Sequence, residues 1–247
     1  MAIARGVAGS PASSETLRTI KVWNLGVRVV HWVVALSIVI LSVTGYYIAN
    51  PYWITHGNTG FVMGTMRFVH LVFAFVFTVA VVYRFYKAFS NDHWSGWQQF
   101  VPVGRRRLRL LRQQAAYYVF LRRTPPPQVG HNPLAGVTYT VVYVLFAVQV
   151  LTGFALYSLP QGPGIWEGAF GWMVLWFGVP ALRLVHFLVM WMLIAFTIHH
   201  VYSAVLIDFE EGSGLLSSIV TGNKTLSREH IAAAVTDDPA GEASVHE

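Results

Sequence analysis

The stretch ALRLVHFLVMWMLIAFTIHHVYSAVLI, Ala181–Ile207, decides the fold. It contains one arginine, no lysine and no carboxylate. A helix of this length rises about 40 Å, more than the ~30 Å of hydrocarbon in a bilayer. Inside lipid a chain has to satisfy its own backbone hydrogen bonds, so the stretch reads as a transmembrane helix. Yet Arg183, His186, His199 and His200 all lie within it. Ionisable side chains are costly at membrane depth and usually mark function.

Three further runs have the same character: 28–49, 61–86 and 133–159. With 181–207 they predict an all-α integral membrane protein, a four-helix transmembrane bundle. The flanking pieces are an N-terminal segment (1–27), a basic loop (87–132) and a tail (208–247). Composition agrees. Of 247 residues 55% are hydrophobic and only 11% charged, against roughly a quarter charged in a soluble domain. Aromatics gather at several span ends, as Tyr46, Tyr47, Tyr52 and Trp53 after the first and Trp166, Trp172 and Trp176 before the fourth, the pattern of an interfacial belt. The first 27 residues lack an apolar h-region, so no signal peptide is expected. Cysteine is absent, which excludes disulfides, thiolate-held iron–sulfur clusters and covalently attached c-type haem.

Lysine and arginine set the orientation. Arg5, Arg18, Lys21 and Arg28 precede or open the first span. Arg84, Lys87, the run RRRLRLLR at Arg105–Arg112, Arg122 and Arg123 lie between the second and third, and Lys224 and Arg228 follow the fourth. The connections 50–60 and 160–180 hold neither residue type. The positive-inside rule therefore predicts that both termini and the 87–132 loop are cytoplasmic. The net charge of +6 is read as a topology signal. No nucleic-acid partner is expected, while the Arg105–Arg112 run suits anionic lipid headgroups.

Arg67 and Arg183 are left toward the opposite side, and each belongs to a repeated pattern: RVVH at Arg28–His31, RFVH at Arg67–His70 and RLVH at Arg183–His186. His56, His93, His131, His230 and His246 fall in loops or the tail, as solvated side chains. His31, His70, His186, His199 and His200 fall in spans. By depth, His70 pairs with His186 toward the outside, and His31 with His199 or His200 toward the cytoplasm. At about 100° per residue, 14 residues return to within about 40° of the starting face and 13 do not, so His200 shares a face with His186. Two histidines from facing helices form an axial pair for a haem iron. A catalytic zinc wants three protein ligands, and the spans offer no Asp, Glu or Cys to supply a third. Arginines at i−3 lie one turn from each histidine. There Arg67, Arg183 and Arg28 would either clamp haem propionates or snorkel to headgroups. Gly45, Gly60, Gly64 and Gly153 are small residues of the kind that let helices or a flat macrocycle approach.

The strings RVVHWVVALSIVILSVTGYYI, RFVHLVFAFVF, GHNPLAGVTY, LTGFALY, HFLVMWMLIAFTIHHVYSAVLID and GLLSSIVTGNKTL resemble the b-type cytochrome subunit of membrane-bound respiratory nickel–iron hydrogenases. The likeness covers roughly residues 20–226. Formate dehydrogenase gamma-like and cytochrome b561-like subunits share the architecture. The resemblance implies haem b, two expected and one possible where the other is lost on isolation, held by His31, His70, His186 and His200. It implies docking to the hydrogenase small subunit, and through it the large subunit, in the bacterial inner membrane, with a dimer of complexes compatible. It also implies electron transfer to quinone without hydrogen chemistry or catalytic residues of its own. His199 departs from the family pattern, which has an apolar residue there. His131, Asn132 and His199 are quinone-site candidates. Asn132, ahead of Pro133, equally suits a helix cap. Three alternatives stay open: another donor such as formate dehydrogenase or thiosulfate reductase, a free cytochrome b561-type oxidoreductase, or a histidine-lined metal transporter. A haemless anchor is a further rival. The apolar connection 159–180 fits either a partner surface or the membrane surface, and the terminal segments 1–18 and 229–247 read as mobile.

Overall fold

In the computed structural model the described residues are 17–21, 23–51, 61–89, 133–211 and 214–227, with short pieces between 108 and 121. Their elements are β1 (Leu17–Lys21), α1 (Leu25–Ala49), α2 (Phe61–Phe89), α3 (Pro133–Ser158), α4 (Ile165–Phe177), α5 (Val179–Glu211), α6 (Leu215–Thr221) and β2 (Asn223–Ser227). A single 3-10 turn, Leu159–Gln161, links α3 to α4. Four of the helices, α1, α2, α3 and α5, are long and apolar enough to cross a membrane.

α1 packs chiefly on α2, and α3 on α5 and α4. Between these pairs lies one apolar core of Phe77 and Val81 from α2, Val142 and Phe146 from α3, and Val189 and Leu193 from α5, with Val34, Ile38 and Leu41 of α1 packed against it. Phe77 meets Phe146 edge to face, with centroids 5.1 Å apart. The outward faces are apolar too. Val29, Trp32, Leu36, Val39 and Val43 form an exposed stripe on α1, and Leu184, Leu188, Trp191, Met192 and Ile198 another on α5. A water-soluble bundle puts polar side chains there, so the solvent these helices are built for is lipid.

The bundle has two distinguishable ends. At one, β1 and β2 pair antiparallel, Leu17 opposite Ser227 and Lys21 opposite Asn223. Asn24 caps α1 by accepting from the Val27 N–H at 2.9 Å, satisfying a donor that a helix start leaves free. The Trp23 indole donates to Ser218 at 3.3 Å, and Asp208 accepts from the Leu215 N–H. These bonds fasten α6 beneath α1 and α5. At the far end α4 folds over α3 and α5 through Ala155, Met173 and Leu182. Trp166 stacks on Phe154 at 5.3 Å and 15°. Gly178, at φ +73°, turns the chain from α4 into α5, a conformation that glycine adopts without strain.

Two elements go beyond what the sequence pattern predicts. The 159–180 connection contains a 13-residue helix, masked by Gly162, Gly164, Gly168, Gly171 and Gly178 and by the prolines at 160, 163 and 180. The ribbon joins Leu17–Lys21 to Asn223–Ser227, from opposite ends of the chain and beyond the reach of local patterning. α5 also runs to Glu211, past the predicted end at Ile207, because nothing in LIDFEE breaks a helix once it leaves the apolar zone.

Candidate functional site

His70 stands about two and a half turns into α2, and His186 about two turns into α5. Their ring centroids are 6.5 Å apart, with planes inclined at 65°. Each is seated by a Thr-Gly pair on a neighbouring helix. On α1, Thr44 Oγ1 lies 2.9 Å from His70 Nδ1. A Cβ added to Gly45 would lie only 3.1 Å from His70 Cε1. On α3, Thr152 Oγ1 lies 2.9 Å from His186 Nδ1, and a Cβ on Gly153 would lie 3.2 Å from His186 Cε1. The hydroxyl holds the ring, and the absent side chain makes room for it.

The hydrogen bonds have a direction. Thr44 donates to Ile40 O at 2.7 Å, and Thr152 donates to Val148 O at 2.7 Å. A hydroxyl has a single proton, so each oxygen is left to accept, and the histidine Nδ1 must be the donor. Each ring then carries its proton on Nδ1 and a lone pair on Nε2. On His186 that lone pair meets the Gln149 amide nitrogen at 3.3 Å. The other end of that amide, Oε1, is buried without a hydrogen-bond partner among the described residues.

At the ribbon end His31 of α1 and His200 of α5 lie with centroids 6.3 Å apart and planes inclined at 56°. Their setting is aromatic. His200 stacks on Phe196 at 5.5 Å and 14° and meets the edge of Tyr139 at 6.1 Å; His31 meets Trp32 at 5.5 Å. His31 Nδ1 is buried with no hydrogen-bond partner among the described residues. The structure thus brings together His70 with His186 and His31 with His200. The four lie at two levels separated by the Phe77–Phe146 core.

The remaining predicted residues sit as follows. Arg67 and Arg183 are exposed, one turn from His70 and His186 toward the far end. Arg28 turns to the tail instead, donating from Nη1 to Val220 O, while its Nε is buried with no partner among the described residues. His199 is exposed, with Nε2 3.4 Å from Ser203 Oγ one turn on, so it points away from His31. A Cβ added to Gly64 would meet nothing within 4 Å, and this glycine cradles neither histidine. His131, Asn132 and Gly60 lie outside the described residues. Sequence reasoning misses Thr44, Thr152 and Gln149. Their signal is the repeated Thr-Gly in SVTGYY and LTGFAL, each facing an RxxH helix.

These pairs fit an iron porphyrin. A metal–imidazole nitrogen bond is about 2 Å, so two histidines that held one iron between them would need ring centres about 6 Å apart. Both observed separations match that span. Among the described residues no group of three or more His, Asp or Glu is assembled, so a closed zinc sphere has no counterpart there. Beside the His70–His186 pair the buried Gln149 Oε1 has no hydrogen-bond partner among the described residues, an orphaned polar atom of the kind a folded interior rarely keeps.

Known proteins resemble this chain along most of its length. The model of the family described as prokaryotic cytochrome b561 matches residues 22–222. A Bradyrhizobium diazoefficiens protein named as a probable Ni/Fe-hydrogenase B-type cytochrome subunit is 36% identical over 229 residues, covering 90% of this chain and 92% of its own. A Cupriavidus necator protein of the same name is 36% identical, covering 88% and 91%. The Escherichia coli K12 protein named for hydrogenase 1 is 32% identical, covering 83% and 90%.

Proposed function

The chain belongs to the prokaryotic cytochrome b561 family, and on that premise we propose that it is the dihaem membrane subunit of a nickel–iron hydrogenase, conveying electrons from that enzyme to quinone. It is a multi-pass membrane protein by its four apolar helices and its family. The observation that carries the proposal is the separation of 6.5 and 6.3 Å in the two histidine pairs.

In this reading His70 and His186 hold one haem b, and His31 and His200 the other. When bound, such a group would supply one-electron transfer, with His70, His186, His31 and His200 as the residues that would hold it. The chain's own residues do the rest. Gly45 and Gly153 admit the rings, Thr44 and Thr152 fix their tautomer, and the Phe77, Phe146, Val189 and Leu193 layer keeps water from between the levels. Arg67 and Arg183 offer positive charge beside the His70–His186 pair.

Basic residues gather at the ribbon end, which supports that end as cytoplasmic and the α4 end as the side facing the hydrogenase. The relatives' names support the hydrogenase as donor. Quinone would be reduced near the His31–His200 pair. The exposed His199 and the half-buried Ser203 would offer hydrogen bonds there to a molecule arriving through lipid.

The test is gentle solubilisation of the native complex. Expected are nickel in stoichiometric amount, low-spin b-type bands in a reduced-minus-oxidised spectrum, and hydrogen-dependent quinone reduction that His186→Ala abolishes. A purified complex with no b-type bands overturns the reading.

A further inference from the structure

The His70–His186 site is built twice from one unit. On the first helix of each unit a Thr-Gly pair follows apolar residues: Thr44-Gly45 on α1, Thr152-Gly153 on α3. On the second stands the RxxH pattern: Arg67–His70 on α2, Arg183–His186 on α5. The local distances repeat. Each threonine donates to the carbonyl four residues back at 2.7 Å and approaches the one three back at 3.3 Å, and each meets its histidine Nδ1 at 2.9 Å. A Cβ at the following glycine would meet the same ring atom, Cε1, at 3.1 and 3.2 Å. Thr44 and Thr152 are themselves buried. Among the described residues the His31–His200 site lacks this device, and His31 Nδ1 has no hydrogen-bond partner.

We propose that Thr44 and Thr152 are positioning residues that act through His70 and His186 to set the redox potential of the site between them and to keep it distinct from the His31–His200 site. The inference rests on the haem reading above. An axial histidine whose Nδ1–H is held by an acceptor is a stronger electron donor to its metal. It therefore favours the ferric state and lowers the potential. Each hydroxyl is an obligate acceptor here, because its one proton already goes to the backbone. Two such acceptors on one iron act in the same direction. The bare Nδ1 of His31 leaves its ligand the weaker donor.

The experiment compares Thr44→Val, Thr152→Val and the double Val variant with Thr44→Ser and Thr152→Ser in the gently solubilised native complex. The readouts are optical redox titration and ferric electron paramagnetic resonance. Valine keeps the shape and removes the oxygen, and serine keeps the oxygen. Each Val variant is expected to raise the midpoint of one haem and leave the other where it was. The double variant should raise it further, and both Ser variants should hold the wild-type value. A Val variant that assembles without one haem while its Ser counterpart retains both supports the same role. Val and Ser variants that behave alike, or a shift shared equally by both haems, overturn the proposal. A Val variant that fails to accumulate gives the threonine a folding role and overturns it too. Failure of the haem reading is separately visible, as a wild-type complex without b-type signals.

Discussion

The imidazoles of His31 and His200 lie with centroids 6.3 Å apart, although one opens the first transmembrane helix and the other sits deep in the last. His199, next in sequence, is exposed and bonded to Ser203. One residue is about 100° of helix rotation, enough to move a ring from the bundle interior to its surface. His200→Ala should therefore remove one haem of two, halving the haem-to-protein ratio, and His31→Ala should do the same. His199→Ala should keep both. The ratio is read from a pyridine haemochrome assay of purified complex, and loss of a haem in the His199 variant would reverse the assignment.

The ring planes carry their own prediction. They are inclined at 56° in the His31–His200 pair and 65° in the His70–His186 pair. Nearly parallel axial imidazoles give a rhombic low-spin ferric signal. Steeply inclined ones give a signal dominated by a single large g value. Both sites should show the second type at liquid-helium temperature. A purely rhombic spectrum would mean that the rings turn on binding.

Gly45 and Gly153 can be weighed against Gly64. Replacing glycine by alanine inside a helix normally stabilises it by up to about 1 kcal/mol. At Gly153 the new methyl meets His186 Cε1 at 3.2 Å, closer than ordinary contact, and overpacking of that sort costs about 1–3 kcal/mol. The rings are tied to Thr152 and Thr44 at 2.9 Å and have little room to give, so the steric cost wins. Gly153→Ala and Gly45→Ala should weaken haem retention in detergent, and Gly153→Leu should abolish it at that site. Gly64→Ala, with open space around it, should leave retention unchanged. Haem loss against time in detergent orders the four variants.

Spans and histidine pairs were legible in the sequence because both rest on local rules. Long apolar runs have one solution in lipid, and 14 residues between His186 and His200 fix a shared face. The Thr-Gly seats are harder to see. Thr44 lies on a different helix from His70, and Thr152 is 34 residues from His186. A threonine in an apolar run looks like any other back-bonded hydroxyl until the partner helix is in place. The glycines stand out as small residues, yet only coordinates separate Gly45, pressed against a ring, from Gly64, pressed against nothing. The role of Arg28 is equally hidden. Its spacing to His31 repeats that of Arg67 and Arg183, but its partner, Val220, is 192 residues away.

That partner leads to the last prediction. Arg28 Nη1 bonds Val220 O near the C-terminal end of α6, where carbonyls lack helical partners and a positive charge is favourable. Gly222 closes tightly beside the same guanidinium, 3.4 Å from Arg28 Cζ to where a Cβ would be. Trp23 reinforces the join by donating its backbone N–H to Gly222 O at 3.1 Å. A hydrogen bond to a charged group contributes about 1.5–3 kcal/mol when shielded from water. Arg28 is only partly covered, so the lower part of that range applies. Arg28→Gln should loosen α6 and the β1–β2 ribbon, seen as faster amide exchange across 215–226 and earlier proteolysis of the tail. Haem content and both midpoints should hold. A shift in one midpoint with no change in exchange would instead give Arg28 to a haem propionate, and leave Trp23, Asp208 and the β1–β2 ribbon to hold α6.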